Sequence, residues 1–447
     1  MTLERVFVAN RGEIALRIVR ACRKLGVECV VGASEIDRNG PAARLADRVV
    51  CIGPAPSSQS YLRHDTVVQA ALGTGCDAIH PGYGFLSENP EFAAAARDNG
   101  LRFVGPPAAV IGLAGDKLRA RTAAAEAGLP VVPGREVSAL ADAHAFAEES
   151  GYPVLLKAAA GGGGRGIKPA SGPEELDSLY SVAAAEARSA FGDERLYVER
   201  RLTDARHVEV QVAADEHGSV IHLGERDCSV QRRYQKLIEE APAPFMAEET
   251  RERLREAAVT FTGAIGYRNL GTVEFLLDRG SGEFFFLEMN CRIQVEHPVT
   301  EAVTGYDLVA MQLEIAGGRP LELTQSRVTI DGHAVECRLT AEDVSNGFRP
   351  SPGTLSRFEV PDIENLRVDT HCEPGTVIPP HYDSLLAKLI GHGSDREDAT
   401  AVVGEALAGL RVEGVDTNRE LLASVLAHED FADGAITTRW LEEAAVA

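Results

Sequence analysis

Polar side chains that could bind a cation alternate along the segment from residue 284 to 301, which reads FFFLEMNCRIQVEHPVTE. A period of two places alternate side chains on one face of an extended strand. Carboxylate and amide oxygens are the ligands that a hard cation such as Mg²⁺ prefers. The alternation alone leaves the role of the arginine and of the last acid open. The polar residues occupy even positions, as do Phe284 and Phe286: Glu288, Asn290, Arg292, Gln294 and Glu296.

A hairpin would bring a second acid to the same face. GTVEFLLD (271–278) and EFFFLEMN (283–290) flank the turn-like RGSG, and a loop centred on Ser281 sets Glu274 opposite Glu288. Two opposed carboxylates repel unless a divalent cation lies between them, so we predict that Glu274, Glu288 and Asn290 bind a divalent cation such as Mg²⁺. The alternative is an exposed face with its acids in water, and a one-residue slip would remove the pairing. The same register pairs Thr272 with Asn290, Leu276 with Phe286 and Asp278 with Phe284.

A glycine-rich loop, AAAGGGGRGIK at 158–168, follows the apolar stretch YPVLLKA. A dinucleotide fingerprint requires a helix directly after the loop, whereas Pro169 and Pro173 follow here, and a Walker A motif requires Lys where Ile167 stands. Adjacent backbone N–H groups can still surround phosphate oxygens, and Lys117 and Lys157 could bring positive charge to them. We therefore predict a phosphate-binding flap; a plain flexible loop is the alternative.

Several domains must position these residues, because 447 residues exceed what one core usually supports. Residues 1–115 alternate strand and helix signals, which predicts an open parallel α/β sheet, with Asn89 as the N-cap of the helix that starts at Pro90. Residues 203–300 are rich in strands. In the tail, HAVECRL and GTLSRFEV look like strands, and the chain ends in the helices DREDATAVVGEALAGL and NRELLASVLAH.

The composition argues against some classes of function. Acidic residues outnumber basic ones by 67 to 45, a net charge of −22, which disfavours nucleic-acid binding. No stretch approaches the roughly 18 apolar residues of a membrane span, and the N-terminus does not look like a signal peptide. We predict a cytoplasmic protein. The eight cysteines lack metal or disulfide spacing, and those in apolar segments are predicted to be core residues: Cys22, Cys29, Cys51, Cys76 and Cys337.

Taken together, the motifs closely resemble biotin carboxylase, the ATP-grasp component of biotin-dependent carboxylases. The resemblance runs from about residue 3 to about residue 440. Its most specific string is RIQVEHPVTE, and the glycine loop alone is weakly specific. The motifs that carry it are ANRGEIALRI, HPGYGFLSEN, KAAAGGGGRGI, RHVEVQV, ERDCSVQRR, EEAPAP, EMNCRIQVEHPVTE and GHAVECRL with AED after it.

The resemblance implies a multidomain fold of α/β and α+β parts. A Rossmann-like N-terminal α/β domain would span 1–115, and an ATP-grasp domain would span 116–318 with a glycine-rich lid at about 131–202. A C-terminal biotin carboxylase domain would span 319–447. The implied reaction uses ATP and bicarbonate to form carboxyphosphate and then carboxylates biotin. It is the first half-reaction of an acetyl-CoA or other acyl-CoA carboxylase, as in fatty acid biosynthesis.

The resemblance also assigns site residues. Glu296 would be the general base, acting with Arg292, Lys236 and Arg338, and bicarbonate would be held by Lys236, Arg292, Gln294, Val295 and Glu296. Biotin would lie near Tyr83, Asp383 and Arg338, the last stabilising its enolate. The metal, Mg²⁺ or Mn²⁺, would bind Glu274, Glu288 and Asn290, as the hairpin predicts. ATP would contact Lys117, Lys157, Gly161, Gly162, Gly163, Gly164, Arg165, Gly166, Glu199, Leu202, His207, Gln231, Tyr234, Glu274, Leu276 and Glu288.

Partners follow from the same resemblance. Biotin would be a substrate on a separate biotin carboxyl carrier protein, since no Met of this sequence adjoins a Lys as in the A-M-K-M attachment string. Carboxyltransferase subunits and a second copy of the chain are the other expected partners, with no nucleic acid and no membrane. Tyr234 stands where the family usually has His, and Cys291 where Thr or Pro is common. The alternatives are another ATP-grasp ligase, which would lack RIQVEHPVTE and Arg338, and a non-catalytic subunit of a carboxylase complex.

Overall fold

The computed structural model describes residues 3–158, 167–191 and 194–444. The first part is the predicted parallel α/β sheet, with the strand order β3-β2-β1-β4-β5. Asn89 caps its helix as predicted, because its side chain accepts a 2.8 Å hydrogen bond from the Phe92 N–H. The elements are β1 Arg5–Val8, α1 Gly12–Leu25, β2 Glu28–Ser34, α2 Pro41–Leu45, β3 Arg48–Gly53, α3 His64–Gly73, β4 Ala78–His80, α4 Pro90–Asp98, β5 Arg102–Phe103 and α5 Ala108–Gly115.

A small antiparallel sheet with the strand order β6-β9-β7-β8 follows, and two helices pack on it around Phe146, Leu156 and Val198. This sheet occupies the range predicted for the lid. Of the predicted phosphate loop, Gly161 to Gly166 lie outside the described residues. The elements are α6 Lys117–Glu126, β6 Gly134–Val137, α7 Leu140–Ser150, β7 Val154–Ala158, β8 Ile167–Ala170, α8 Pro173–Phe191 and β9 Leu196–Arg200.

A long sheet with the order β14-β13-β10-β11-β12-β15-β22-β20 forms the centre of the molecule. It continues across the predicted boundary at residue 318, because β12 pairs with β15. Its N-terminal part comprises β10 Ala205–Ala214, β11 Val220–Arg232, β12 Gln235–Ala241, α9 Glu248–Ala264, β13 Asn269–Asp278, β14 Phe284–Asn290, α10 His297–Thr304 and α11 Leu308–Ala316.

The C-terminal part confirms the two predicted helices, α12 and α13, but two short helices follow them, so the prediction that the chain ends after two was incomplete. The elements are β15 His333–Thr340, β16 Glu342–Asp343, β17 Arg349–Pro350, β18 Gly353–Thr354, β19 Arg357–Glu359, β20 Leu366–Thr370, β21 Val377–Ile378, β22 Leu385–Gly393, α12 Arg396–Gly409, β23 Arg411–Glu413, α13 Arg419–Leu426, α14 Glu429–Ala432 and α15 Trp440–Glu443.

The hairpin of β13 and β14 is partly as predicted. Glu274 lies opposite Glu288 and Thr272 opposite Asn290, but the pairing then shifts by one, so Phe275 faces Phe286. The predicted pairs of Leu276 with Phe286 and Asp278 with Phe284 were therefore wrong. The cause is a β-bulge in which Leu287 is the extra residue.

The bulge separates two sets of side chains that share even numbers. Phe284 and Phe286 pack in the core with Phe275 and Met289, whereas Glu288 and Asn290 belong to the opposite face. The Phe275 ring lies 5.4 Å from that of Phe284, edge to face. Without the extra residue the phenylalanines and the predicted cation ligands would share one face.

Two further observations concern the predictions from composition. Cys51 is exposed, because β3 is an edge strand, so its assignment to the core was wrong; Cys22, Cys29, Cys76 and Cys337 are buried. Among the described residues, no helix is long and apolar enough to cross a membrane.

Candidate active site

A buried lysine lies at the centre of the site. Lys236 on β12 has its Nζ 2.5 Å from Glu209 Oε2, 3.0 Å from Glu274 Oε1 and 2.7 Å from Glu296 Oε1. The three acids come from β10, from β13 and from the residue that precedes α10, so one ammonium joins three elements. Burial alone would lower the pKa of Lys236, but the three carboxylates raise it well above its usual value. The lysine is therefore a permanent cation in a cluster of anions.

Glu296 is held between two cations. Its side chain is fully buried, and Oε2 accepts a 2.8 Å bond from Arg338 on β15 while Oε1 faces Lys236. Burial alone would raise the pKa of Glu296, but Lys236 and Arg338 outweigh burial and lower it. Glu296 is therefore an ionised carboxylate at neutral pH, able to accept a proton.

The other residues predicted to bind bicarbonate lie beside Glu296. Arg292 donates to Gln294 Oε1 at 2.8 Å, and Gln294 Nε2 donates to Glu274 Oε1 at 3.1 Å. The Val295 carbonyl accepts from Lys388 at 2.9 Å. The structure thus brings together Lys236, Arg292, Gln294, Val295 and Glu296, with donors and an ionised carboxylate in one buried cluster.

Glu274 and Glu288, predicted to bind a divalent cation, lie opposite each other in the hairpin. Burial and the charge of Glu274 raise the pKa of Glu288, so the two carboxylates conflict as the hairpin register predicts. Burial would also raise the pKa of Glu274, but Lys236 and His207 lower it. The Asn290 side chain is engaged otherwise here: Nδ2 donates to Glu274 at 2.8 Å and Oδ1 accepts from Arg292 at 2.9 Å. Of the predicted ligand set, the two carboxylates are therefore better supported than Asn290, whose side-chain atoms both have other partners.

Three residues predicted to bind ATP line one recess beside the small sheet. Lys117, Lys157 and Glu199 surround it together with Tyr197 and Leu287. Lys157 Nζ lies 2.5 Å from Glu199 Oε1. Burial is the main cause of a lowered pKa at Lys117. The recess therefore presents two ammonium groups and one carboxylate.

The remaining predicted ATP residues lie on the long sheet or next to its strands in sequence. His207 lies opposite Leu276 across β10 and β13, and its Nε2 is 3.2 Å from Glu274 Oε2. Burial would lower the pKa of His207, but Glu274 raises it to about 9. Gln231 is buried on β11, Tyr234 is 60% exposed, and Leu202 follows β9.

The predicted biotin residues divide between two places. Tyr83 and Asp383 line a cleft of about 330 Å³ together with Arg11 and His371. Arg338 instead lies on Glu296, and its NH2 is also 2.5 Å from Glu239 Oε1. The Tyr83 hydroxyl donates a short hydrogen bond to Glu13. The cleft and the Glu296 cluster are therefore neighbouring but distinct groups of residues.

Comparison with known proteins decides the family. The family model of the biotin carboxylase N-terminal domain matches residues 2–111. The model of the carbamoyl-phosphate synthase L chain ATP-binding domain matches residues 116–324. The model of the biotin carboxylase C-terminal domain matches residues 336–443. A biotin carboxylase of Pseudomonas aeruginosa is 49% identical over 444 residues, covering 99% of this chain and 98% of that protein. The chain belongs to the biotin carboxylase family.

Solved structures of biotin carboxylases share the fold. The biotin carboxylase domain dimer of Hydrogenobacter thermophilus 2-oxoglutarate carboxylase, in complex with MgADP, ADP and bicarbonate, has a TM-score of 0.94 and 45% identity, covering 99% of this chain and 98% of that one. A biotin carboxylase complex with β-γ-ATP from Campylobacter jejuni has a TM-score of 0.95 and 42% identity, covering 99% of both chains. These likenesses confirm the predicted ATP-grasp multidomain fold.

Sequence reasoning missed three charged residues of this candidate site. Glu209 is fully buried and binds both Lys236 and Arg226, whose guanidinium is 2.6 Å away and equally buried. Glu88 accepts from the Cys291 N–H at 2.9 Å and from Arg292 Nε at 3.0 Å. Glu209 alternates with valines in the motif RHVEVQV, which was an available signal, whereas Arg226 stands between Glu225 and Asp227 in ERDCSVQRR and shows no such alternation.

Proposed function

We propose that Glu296 is the general base of an ATP-dependent biotin carboxylation, and that the residues around it bind bicarbonate. The observation that supports this most directly is the buried, ionised Glu296 carboxylate held between Lys236 and Arg338, next to Arg292 and Gln294. Membership of the biotin carboxylase family establishes the overall activity: the chain is an ATP-dependent ligase that carboxylates biotin with bicarbonate. The residue roles are our assignment.

The first step is deprotonation of bicarbonate. Arg292, Lys236 and Gln294 hold the anion, with the Val295 backbone beside it, and Glu296 removes its proton. The resulting oxyanion attacks the γ-phosphorus of ATP, the bond from that phosphorus to the bridging oxygen breaks, and ADP and carboxyphosphate form. The C–O bond to phosphate in carboxyphosphate then breaks to give CO₂ and phosphate. The released phosphate accepts the proton of the ureido N–H of biotin, and that nitrogen bonds to CO₂.

The phosphate chain of ATP carries charge that must be neutralised in this transfer. We assign Lys117, Lys157 and the glycine loop to the phosphates, and Glu199, Leu202, Gln231, Tyr234 and Leu276 to the rest of the nucleotide, with His207 beside Glu274. Glu274, Glu288 and Asn290 would together hold Mg²⁺ or Mn²⁺. The cation would stabilise negative charge on the transferring phosphoryl group. Residues at about 131–202 would act as the lid.

Biotin would enter through the cleft that Tyr83 and Asp383 line. The Arg338 guanidinium donates a hydrogen bond to the Glu296 carboxylate. In the same position it would stabilise negative charge on the ureido oxygen of biotin while the nitrogen is carboxylated. Biotin would arrive on a separate carrier protein, and carboxyltransferase subunits would use the product.

A homodimer is the assembly we propose, since the related Hydrogenobacter thermophilus domain is described as a dimer. Three domains at 1–115, 116–318 and 319–447 would make up each copy. The eight cysteines are free thiols in this structure, and free thiols suit a reducing compartment such as the cytoplasm.

The test is fixation of labelled bicarbonate into free biotin by the purified chain with ATP and Mg²⁺. We expect labelled carboxybiotin to form only when the purified chain, ATP and Mg²⁺ are all present with biotin and labelled bicarbonate. ATP turnover stimulated by an amine or amino acid, and not by biotin, would instead indicate another ATP-grasp ligase. Absence of any bicarbonate-dependent ATP hydrolysis would indicate a non-catalytic subunit.

A further inference from the structure

A second buried lysine joins three parts of the molecule that are distant in sequence. Lys388, in the middle of β22, is fully buried. Its Nζ donates to the Val295 carbonyl at 2.9 Å and lies 3.1 Å from Glu13 Oε1 on α1 and 3.7 Å from Asp369 Oδ2 on β20. The N-terminal helix, the predicted bicarbonate segment and the C-terminal strands therefore meet at one ammonium.

Neutralising Asp369 does not require this lysine. Arg367 already binds both oxygens of Asp369, at 2.9 and 2.7 Å. Burying an ammonium costs several kcal/mol unless good partners compensate. The shorter contacts of Lys388 are to Val295 and Glu13, so its structural effect is concentrated on those two residues.

Val295 stands between Gln294 and Glu296. A hydrogen bond to its carbonyl restricts rotation of the peptide that joins Val295 to Glu296, and so fixes the backbone from which the Glu296 carboxylate extends. Arg292 and Gln294 belong to the same short segment between β14 and α10. Lys388 thus contacts the predicted bicarbonate segment through the backbone carbonyl of Val295 and not through the side chains of that segment.

Glu13 carries the connection to the cleft. Its Oε1 accepts from the Tyr83 hydroxyl as well as facing Lys388, and its Oε2 is buried without a partner among the described residues. Tyr83 lines the 330 Å³ cleft. One continuous set of contacts therefore runs from Tyr83 through Glu13 and Lys388 to Val295. It also gives a role to Glu13 in the motif ANRGEIALRI.

We propose that Lys388 is a positioning residue that fixes the bicarbonate-binding segment 292–296 through the Val295 carbonyl and ties it, through Glu13, to Tyr83. The proposal rests on the proposed function of that segment. A shift of about 1 Å in such a segment can cost about 100-fold in rate. Loss of Lys388 should therefore act on bicarbonate rather than on ATP, whose predicted ligands lie elsewhere.

The test compares Glu13→Gln with the double variant Glu13→Gln/Lys388→Met in bicarbonate-dependent ATP hydrolysis. Removing both charges avoids an unpaired buried ion, and the amide oxygen that Glu13→Gln introduces still accepts from Tyr83. We expect the double variant to raise the KM for bicarbonate about 10- to 100-fold over Glu13→Gln while the KM for ATP stays within about twofold. Equal bicarbonate KM values in the two variants would overturn the proposal.

The control is Arg396→Met, which breaks the partly buried ion pair of Arg396 with Glu240, 2.6 Å apart and outside segment 292–296. An equal rise in bicarbonate KM there would assign the effect to a loosened fold and would also overturn the proposal. If the double variant is unfolded by circular dichroism, Lys388→Arg decides: a raised bicarbonate KM supports the role and an unchanged one refutes it. A wild-type protein without bicarbonate-dependent hydrolysis would overturn the site assignment as well.

Discussion

Glu239 on β12 lies directly opposite Glu336 on β15, and both side chains are fully buried. The Glu336 carboxylate has no hydrogen-bond partner among the described residues, and Arg338 lies 2.5 Å from Glu239 as an ion pair. Burial raises the pKa of Glu239 to about 7 against the pull of Arg338, and raises that of Glu336 well above its usual value. Lys236, Lys388 and Glu296 are the other charged groups that act on the pair. Glu336 therefore retains its proton at neutral pH, whereas Glu239 titrates close to neutral pH.

This pair predicts a pH-dependent stability. A raised carboxyl pKa stabilises the fold fully below the unfolded value of 4.5, and that contribution is lost as pH rises through about 7. In Glu336→Gln the acid with the more strongly raised pKa is gone, so stability should decline less over this range. Urea unfolding at pH 5 and pH 8 measures how far the free energy of unfolding falls between these pH values. We expect this fall to differ between the variant and the wild type by on the order of 1–3 kcal/mol. Identical declines in the two proteins would refute the interpretation.

The fully buried Arg226 should be essential for stability. It lies 2.6 Å from Glu209 and also donates to Gln211, Thr272 and Thr300. Arg226→Met leaves the Glu209 carboxylate short of one cation, so we expect a loss of about 3–5 kcal/mol in the free energy of unfolding. Arg357→Met, which removes an exposed ion pair with Glu359, should cost less than about 1 kcal/mol. Equal losses in the two variants would contradict this ranking.

The metal prediction is tested at Glu288. Glu288→Gln removes a carboxylate whose pKa burial and Glu274 already raise, so the metal-free fold should not lose stability. The Mg²⁺ concentration for half-maximal ATP hydrolysis should rise about 10- to 100-fold. Glu283→Gln, an exposed acid just before β14, is the matched control and should leave the Mg²⁺ requirement unchanged. The same requirement in both variants would exclude Glu288 as a ligand.

Asp383 should affect biotin and not ATP. It lines the cleft with Tyr83, away from the recess of Lys117 and Lys157. Asp383→Asn should raise the KM for biotin about tenfold if one charge-assisted hydrogen bond is lost, with the KM for ATP unchanged. The exposed Asp362→Asn serves as control. A KM for biotin that stays at the wild-type value would exclude Asp383 from biotin binding.

The pairing of the two hairpin acids could be predicted from the sequence, whereas the register beyond them could not, for physical reasons. The opposed Glu274 and Glu288 followed from alternation and a short loop, because period-2 geometry fixes which residues meet. The bulge at Leu287 did not, since one extra residue in a strand leaves no pattern to read beforehand. It nevertheless decides that Phe284 and Phe286 face the core while Glu288 and Asn290 face the opposite side.

Buried charged residues were the other feature that could not be predicted from the sequence. Glu209 and Arg226 look like the polar face of ordinary strands, and only the sheet and α10 packed over it place both in the interior. Lys388 in LLAKLIGHG similarly breaks the apolar run of β22, a strand that the sequence did not predict. Such residues become interpretable only when their partners, which are distant in sequence, are brought beside them.

The most direct test of the central claim is the rate at which Glu296→Gln fixes labelled bicarbonate into free biotin. A general base contributes about 10²- to 10⁴-fold, so we predict a fall of at least about 100-fold. Circular dichroism should show an intact fold, and Glu283→Gln should match the wild type. Carboxylation by folded Glu296→Gln at the wild-type rate would contradict the assignment of Glu296 as the base.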